Sequence, residues 1–349
     1  MGIPIGNKHI GPGRPCFIIA EAGVNHNGDL SLARRLVEAA AAAGADAVKF
    51  QTWVTEKICR PGAKKAAYQE RSSRADDDQF AMLKRLELPY AWHRELMGLA
   101  EERGLVFLST PDELDSARFL CSIGVPAIKV GSAELTNLPH LAQLARLGKP
   151  LIVSTGMGTL QDVGRAVDVI RAATSAPFAL LHCVSAYPAP EEEMNLGAIA
   201  ALRQAFDVPV GLSDHTTGTT AAVMGVALGM CILEKHLTLD RNMPGPDHAA
   251  SSTPAEFAEL ARMVRKAEVM LGSGEKRTMP SEVNTREVVT RTLLYAAPLA
   301  AGQRAEEKHF EALRCGEPGL PPEAAAELIG RVLRRPVSRG DVVAEADFQ

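Results

Sequence analysis

Eight short apolar runs recur through most of the chain, and segments with helical periodicity separate them. The runs begin at Cys16, Asp46, Leu105, Ala127, Pro150, Phe178, Pro209 and Ile232. Runs that are apolar almost throughout are typical of strands buried on both faces, and their alternation with helices predicts a parallel sheet covered by helices. Eight such units match a closed barrel, so we predict an α/β fold: a (β/α)₈ TIM barrel followed by a small mixed-β domain.

Two segments depart from this repeat. Residues 55–88 form a polar insertion after the second strand, which we expect to be either a solvated surface excursion or a lid over the barrel mouth. The tail is rich in Pro, Gly and short β-like fragments, and it predicts the small domain. We therefore divide the chain into a barrel at 1–280, a linker at 281–285 and a small domain at 286–349.

Composition narrows the classes of function. The 349 residues include 38 Lys and Arg against 42 Asp and Glu, a net charge of −4, so neither nucleic acid nor a membrane surface is expected as a partner. The six cysteines are scattered without a C-x-x-C pair, and no apolar segment resembles a signal peptide or a membrane span. These features favour a reduced, cytoplasmic protein whose cysteines are small core residues.

Polar residues end nearly all of the predicted strands. Barrel enzymes carry their chemistry at the carboxyl ends of the strands, so we expect these side chains to share one rim. Each buried polar group needs a partner, and a purely structural barrel would not require so many of them. The candidates on this rim are Glu21, Lys49, Gln51, Thr110, Lys129, Ser132, Glu134, Ser154, Ser185, Tyr187, Ser213, His215, His236 and Asp247.

The chemistry of these residues points to an anionic substrate. Lys49 and Lys129, with the hydroxyls of Ser132, Ser154 and Ser213, would suit a ligand that carries both a phosphate and a carboxylate. For either lysine alone, an ion pair inside the barrel is the simpler explanation. For the set together, we favour a ligand.

His215 and His236 follow adjacent strands, so their imidazoles could hold one exchangeable divalent metal ion. The alternative is a pair of hydrogen-bonded core histidines. Glu21 and Glu134 are candidates for proton transfer or for binding sugar hydroxyls, and Asp247 lies on the loop after the last strand.

The motifs at these positions resemble those of the nonulosonic (sialic-type) acid synthases, which condense phosphoenolpyruvate with an N-acylated hexose. The similarity covers nearly the whole chain, and the motifs occur in the family's order. They are IIAEAGVNHNG from Ile18, DAVKFQTW from Asp46, STPDELDS from Ser109, IKVGSAELTNLP from Ile128, VSTGMGT from Val153, HCVSAYPAP from His182, GLSDHTTG from Gly211 and EKHLTLDRNMPGPDHAAS from Glu234.

The resemblance implies a barrel synthase with a C-terminal SAF (antifreeze-like) domain. It implies a divalent metal on His215 and His236, Mn²⁺ in the first place, with Mg²⁺ or Co²⁺ as alternatives. Phosphoenolpyruvate is then expected at Lys49, Thr110, Lys129, Ser132, Ser154, Ser185 and Ser213. The acceptor sugar is expected at Glu21, Gln51, Glu134, Tyr187 and Asp247.

The resemblance also implies a homodimer in which each small domain covers the partner's barrel and supplies an arginine to the sugar. The tail departs from the family's K-R-P-G-x-G pattern, because this chain has Arg314 followed by Cys315 and Gly316. Arg314 is therefore one residue out of register with the expected arginine. As the acceptor we expect N-acetylmannosamine, which would make the chain an N-acetylneuraminate synthase. The alternative is the 2,4-diacetamido-6-deoxy sugar of legionaminic acid synthases.

Two further readings remain at this point. Lys49 or Lys129 could act as the nucleophile of a Schiff-base pyruvate aldolase. A more remote alternative is that the tail is a surface-binding module carried by an inert barrel.

Overall fold

The fold is described from a computed structural model of the chain. It describes residues 2–66, 69–70 and 77–349. The chain forms two compact units, Met1–Gly272 and Ser273–Gln349. None of the helices within the described ranges is both long and apolar enough to cross a membrane.

The first unit alternates strands and helices as its sequence pattern predicts. Its described strands are β1 (Ile3–Ile5), β2 (Lys8–Ile10), β3 (Phe17–Gly23), β4 (Ala47–Thr52), β5 (Val106–Pro111), β6 (Ile128–Val130), β7 (Leu151–Ser154), β8 (Phe178–Cys183), β9 (Val210–Asp214) and β10 (Ile232–His236). Its described helices are α1 (Leu30–Ala42), α2 (Thr55–Ile58), α3 (Gln79–Leu86), α4 (Tyr90–Glu102), α5 (Leu114–Ile123), α6 (Leu138–Ala145), α7 (Leu160–Ala173), α8 (Ala198–Phe206), α9 (Thr220–Ala227) and α10 (Pro254–Leu271).

Strands β3 to β10 form one parallel sheet in the order β5-β4-β3-β10-β9-β8-β7-β6. The first and last strands of this order also contact each other, so the sheet curves into a nearly closed barrel. The predicted TIM-barrel fold is confirmed. All carboxyl ends of the barrel strands therefore meet at one mouth, where the candidate residues lie.

Alternation along each strand divides the apolar side chains into two cores. One core faces the helices and includes Ile18, Val48 and Leu233. The other faces the barrel axis and includes Ile19 and Ile232. Because successive side chains point to opposite faces, the strand position fixes which polar residues near the mouth turn inward.

A short hairpin closes the opposite end of the barrel, which the sequence analysis did not predict. Strands β1 and β2 pair antiparallel, and Ile3, Ile5 and Ile10 belong to the axial core. Phe17 and Val106, both at the amino ends of barrel strands, lie in the same core. The hairpin thus excludes water from the amino end of the barrel and leaves the mouth as its open end.

The insertion predicted at 55–88 lies only partly within the described residues. Helices α2 and α3 are described, and Met82 and Leu86 of α3 pack in a small cluster with Val24 and Trp53. Residues 67, 68 and 71–76 lie outside the described residues, so the lid and the surface excursion both stay predictions.

The second unit is small, with short strands around its own apolar core. Its helices are α11 (Val283–Val289) and α12 (Ala325–Leu328), and its strands β11 (Thr292–Tyr295) and β12 (Phe310–Leu313) pair antiparallel. Isolated bridges such as Leu299 with Val337 connect the remaining β-like fragments. Tyr295 and Phe348 lie fully buried in this core.

One buried ion pair lies on the helix-facing side of the barrel. Lys235 Nζ lies 2.6 Å from Asp214 Oδ2 and also donates to the carbonyl oxygen of Thr216 at 2.8 Å. Both side chains are almost fully buried. Removing one partner leaves the other charge buried without compensation, which typically costs about 3–5 kcal/mol.

We expect Asp214→Asn to lower the free energy of unfolding by about 3 kcal/mol or more. The measurement is equilibrium denaturation in urea. Glu38→Gln is the matched control, because its ion pair with Arg103, at 3.4 Å, is half exposed and contributes little. Equal unfolding midpoints for the two variants would refute the structural role of the Asp214–Lys235 pair.

Candidate active site

The structure brings nearly all predicted site residues to the barrel mouth. Each lies near the carboxyl end of a strand or on the segment directly after it. They are Glu21 on β3, Lys49 and Gln51 on β4, Thr110 on β5, Lys129 on β6, Ser132 and Glu134 on the following 3₁₀ turn, Ser154 on β7, Ser185 and Tyr187 after β8, Ser213 on β9, His215 after β9, His236 on β10 and Asp247 on the loop after β10.

Lys49 is held by oxygen atoms from two neighbouring strands. Its Nζ lies 2.7 Å from Glu21 Oε2 and donates to Thr110 Oγ1 at 2.8 Å. Burial lowers the pKa of Lys49, but the charges of Glu21 and Glu234 raise it more, so its net shift is upward. Lys49 is therefore an ammonium ion at neutral pH, with the charge and the donors to bind an anion.

Lys129 on β6, two strands from Lys49 around the barrel, is held in a similar way. Its Nζ donates to Ser154 Oγ at 2.7 Å and to the carbonyl oxygen of Val130 at 3.2 Å. Ser213 lies beside it, because both contact the carboxylate of Glu234. We call Lys49, Thr110, Lys129, Ser154 and Ser213 the lysine cradle.

Glu234 at the centre of this cradle was not assigned a role from the sequence. It accepts a hydrogen bond from Ser213 Oγ at 2.9 Å, and it lies 3.5 Å from Lys129 Nζ and 3.7 Å from Lys49 Nζ. Burial raises the pKa of Glu234, but the charges of the two lysines lower it by more than burial raises it, so the net shift is downward. Its position two residues before His236, with the same inward parity on β10, was the signal that could have found it.

The two histidines predicted to bind metal lie side by side at the mouth, at the ends of the neighbouring strands β9 and β10. The ring centroids of His215 and His236 lie 5.5 Å apart. Tyr187 packs against both rings, with its centroid 4.2 Å from His215 and 5.7 Å from His236. Both imidazoles are largely buried. Their hydrogen-bond partners therefore distinguish a metal site from the predicted alternative, a pair of hydrogen-bonded core histidines.

Their partners fit a metal site better than a histidine pair. His215 Nδ1 lies 2.7 Å from the carbonyl oxygen of Val184, so Nδ1 carries the proton and leaves the lone pair on Nε2. Among the described residues, His236 Nδ1 is buried without a hydrogen-bond partner. Burial, reinforced by the charges of His215 and Lys49, holds the pKa of His236 well below its usual range, so its imidazole is neutral. A neutral imidazole is the form that ligates a metal ion.

Asp247 lies near this pair. Its Oδ2 is 3.8 Å from His236 Nδ1. Burial raises the pKa of Asp247 to about 6, although the charges of His215 and Lys49 oppose this shift. The turn after β3 holds the backbone around Asp247 in place: Asn25 Nδ2 donates to Ser251 Oγ, which donates to the carbonyl oxygen of Asp247. No group of three or more His, Cys, Asp or Glu side chains with metal-binding geometry occurs in the ranges that the structure describes.

Glu21 and Gln51 form the polar side of the mouth next to Lys49. Gln51 Nε2 donates to Glu21 Oε1 at 3.2 Å. Burial raises the pKa of Glu21, although Lys49 opposes the shift, so Glu21 takes up a proton more readily than Glu234 does. Glu134 instead accepts from Asn137 Nδ2 at 2.7 Å and is only partly buried.

Ser132 and Ser185 surround Gly156 on the loop after β7. The Ser132 hydroxyl accepts from the backbone nitrogen of Gly156 at 3.0 Å. A Cβ at Gly156 would lie 2.3 Å from Ser185 Oγ and 2.7 Å from Ser132 Oγ, so a larger residue there would displace both hydroxyl groups. Cys183 lies in the same space, with its Sγ 3.6 Å from Ser132 Oγ. The sequence analysis predicted a core residue at this position, whereas the structure places the thiol beside residues of the mouth.

Some rim residues from the strand ends do not enter the mouth. Asp214 and Lys235 pair on the helix-facing side, and His182 Nε2 bonds to the carbonyl oxygen of Met194. Arg314 lies in the second unit, exposed and directly after β12, so its contact with a partner's sugar stays a prediction. The same holds for the predicted homodimer.

Comparisons with known proteins agree with this arrangement. A sequence profile of the NeuB family matches residues 36–276, and a profile of the SAF domain matches residues 290–349. The N,N'-diacetyllegionaminic acid synthase of Legionella pneumophila is 42% identical over 96% of this chain and 95% of its own length. The human N-acetylneuraminate-9-phosphate synthase is 35% identical over 97% of this chain and 94% of its own length.

A solved structure shows the same fold. The crystal structure of an N-acetylneuraminic acid (sialic acid) synthetase from Leptospira borgpetersenii superposes with a TM-score of 0.74. It is 34% identical in sequence, and the match covers 82% of this chain and 95% of that one.

Proposed function

This chain belongs to the NeuB family of nonulosonic acid synthases and carries the family's C-terminal SAF domain, and from this we propose that it condenses phosphoenolpyruvate with an N-acylated mannose-type sugar. In this reaction, carbon 3 of phosphoenolpyruvate bonds to the aldehyde carbon of the open-chain sugar. Water adds at carbon 2, and inorganic phosphate leaves.

The lysine cradle is the observation that carries this proposal. Two buried ammonium groups, Lys49 and Lys129, both lie within 4 Å of the Glu234 carboxylate, and three hydroxyl groups surround them. Charge-assisted hydrogen bonds in a water-poor site bind phosphate and carboxylate strongly. A donor with both groups on three carbons would match two cations placed this way.

We further propose that His215 and His236 hold a divalent metal ion, Mn²⁺ in the first place. When bound, such an ion would polarise the aldehyde oxygen of the sugar as a Lewis acid. The protonated Nδ1 of His215 fixes the ring so that its other nitrogen faces the mouth, and the unpartnered Nδ1 of His236 offers a second donor. Asp247, whose Oδ2 lies 3.8 Å from His236 Nδ1, would neutralise part of the positive charge of the ion.

The remaining residues would position the acceptor and move protons. Glu21 is the better candidate for a proton carrier, because burial raises its pKa and Lys49 and Gln51 hold its two oxygens in place. Tyr187 packs on the histidine pair and offers a flat wall to the sugar. Glu134, anchored by Asn137, would contact the sugar from the opposite side of the mouth.

For the acceptor we propose the 2,4-diacetamido-2,4,6-trideoxy sugar of legionaminic acid synthesis, with N-acetylmannosamine as the alternative. The support is the higher identity to the Legionella synthase than to the human enzyme, 42% against 35%. The sequence analysis placed N-acetylmannosamine first, and only direct comparison of the two sugars separates them. A pocket that hydrogen-bonds an amide can discriminate strongly, whereas one that contacts a methyl group discriminates weakly.

The test is to incubate the purified chain with phosphoenolpyruvate, Mn²⁺ and each sugar in turn, and to measure phosphate release and the nonulosonic acid by mass spectrometry. We expect equimolar phosphate and product only when both substrates are present. The diacetamido sugar is expected to give the higher kcat/KM, by about 10-fold or more. If no phosphate is released with either sugar, the synthase proposal is refuted.

The Schiff-base alternative can be tested in the same preparation. A lysine nucleophile must be an unprotonated amine, and Lys49 is held as an ammonium ion by Glu21 and Glu234. Lys129 has a lowered pKa and is the residue to examine. Borohydride reduction in the presence of pyruvate, followed by peptide mass mapping, would reveal a modified lysine if that chemistry occurred.

A further inference from the structure

Glu234 lies where its carboxylate meets three members of the lysine cradle, Lys49, Lys129 and Ser213. Its side chain is only 6% exposed. One oxygen accepts from Ser213 and lies 3.5 Å from Lys129 Nζ, and the other lies 3.7 Å from Lys49 Nζ. A carboxylate is not a group that binds an anionic donor directly. Its presence at the centre of an anion site therefore needs another explanation.

Counting hydrogen-bond donors gives that explanation. An ammonium group has three N–H donors. Lys49 directs two of them to Glu21 and Thr110, and Lys129 directs two to Ser154 and the backbone of Val130. The lysine distances to Glu234 are too long for strong hydrogen bonds, so one donor on each lysine stays available to a ligand. Glu234 acts on the lysines through its charge.

That charge matters most for Lys129. Burial lowers the pKa of Lys129, the charge of Glu234 opposes this shift, and the neighbouring Lys49 adds to it. Lys49 has a second carboxylate, Glu21, in direct contact at 2.7 Å. Lys129 has no carboxylate other than Glu234 within ion-pair distance among the described residues. The two lysines therefore depend on Glu234 to different degrees.

We propose that Glu234 is a positioning residue for the donor site: as the shared counter-ion of Lys49 and Lys129, it keeps Lys129 an ammonium ion and holds both lysines toward one ligand. This inference rests on the proposed function for the identity of the donor, phosphoenolpyruvate. The charged and titratable groups that face Lys129 are Glu234 and His236 from β10, Lys49 from β4, Glu21 from β3, Cys183 from β8 and Asp112 after β5. Of these, Glu234 is the nearest opposite charge.

The first experiment measures protonation without substrates. The full chain is labelled with [ε-¹³C]lysine, and the Lys129 resonance is assigned by its loss in Lys129→Met. In Glu234→Gln we expect Lys129 to titrate at a lower pH than in the parent chain. Loss of an opposite charge at this distance typically changes proton affinity by about 10- to 1000-fold. The Lys49 resonance is the internal control and should move much less.

The second experiment measures the kinetic consequence. In Glu234→Gln, the KM for phosphoenolpyruvate relative to the parent chain should rise with pH, because the ammonium form of Lys129 exists only below its pKa. We expect a difference of about 10-fold or more between pH 6.5 and pH 9. The KM for the sugar should stay constant. A packing defect would raise the KM for phosphoenolpyruvate equally at every pH.

Two further variants keep the test independent of folding. Glu234→Asp retains the charge, so it should keep Lys129 protonated across this pH range and raise the KM for phosphoenolpyruvate without a pH trend. Glu56→Gln removes an exposed carboxylate that pairs with Lys84 and should change neither measurement. Thermal unfolding of each variant shows that the chain is folded.

The outcomes separate the two proposals. If the parent chain makes no nonulosonic acid, the proposed function fails, and the lysine titration still decides the role of Glu234. If Lys129 titrates at the same pH in Glu234→Gln and in the parent chain, the counter-ion role is overturned. A pH-independent increase in the KM for phosphoenolpyruvate in Glu234→Gln would overturn it as well.

Discussion

Replacing His236 by alanine is expected to lower kcat for the condensation by about 10³-fold or more. The reason is that His236 is one of the two histidines proposed to hold the metal ion, with ring centroids 5.5 Å apart, and without it the ion would lose half of its protein nitrogen donors. The side chain lies inside the mouth, so the loss should fall on the reaction rather than on folding. The measurement is steady-state phosphate release with saturating substrates, with and without added Mn²⁺.

His93→Gln is the matched control for this prediction. His93 is a fully buried histidine on α4 whose Nε2 bonds to Thr52 Oγ1 on the helix-facing side of the barrel. We expect this variant to lose stability while it retains the parent kcat. Metal binding, measured by the electron paramagnetic resonance of Mn²⁺, should weaken in His236→Ala and stay unchanged in His93→Gln. A His236→Ala variant that keeps full activity in metal-stripped buffer would contradict the metal proposal.

The second large effect is expected from Lys129→Met. Methionine keeps most of the length of the side chain and removes the charge, so kcat/KM for phosphoenolpyruvate should fall by about 10²- to 10³-fold. The residual site would have only one ammonium group for a donor that carries two anionic groups. The KM for the sugar should change little, because Lys129 contacts Ser154 and Glu234, away from Gln51 and Tyr187.

Lys8→Met provides the comparison for loss of a lysine elsewhere. Lys8 lies on β2 at the closed end of the barrel, pairs with Asp46 at 3.1 Å and is about half exposed. Its replacement should leave both KM values unchanged. If Lys129→Met raised the KM for the sugar and for phosphoenolpyruvate by the same factor, the division of the mouth into a donor side and an acceptor side would be wrong.

The strand ends could be predicted from the sequence because all strands of a parallel barrel end at the same mouth. Apolar runs such as the one from Phe178 mark strands buried on both faces, and all strands must end at one mouth. Lys49, Lys129, His215 and His236 could be placed together on that basis alone. The family resemblance added roles for these residues but was not needed to bring them to one rim.

This rule does not determine whether a polar residue at a strand end faces the barrel axis or the helices. Lys235 and Asp214 sit at strand ends like the predicted site residues, yet they pair on the helix-facing side. Glu234, one position earlier than Lys235, points inward and lies between the lysines. A shift of one residue in a strand exchanges the two faces, so this distinction depends on the exact register of the sheet.

The amino-acid sequence by itself determined the alternation of strands and helices, the barrel and the mouth that holds the chemistry, because these follow from local periodicity and the need to bury apolar runs. Only the tertiary structure decided that the first hairpin closes the far end, that Glu234 is shared by two lysines and that His236 keeps a nitrogen without a partner. These features arise from contacts between residues far apart in the chain, whose distances depend on how eight strands curve around one axis. The local pattern of apolar and polar residues does not determine those distances.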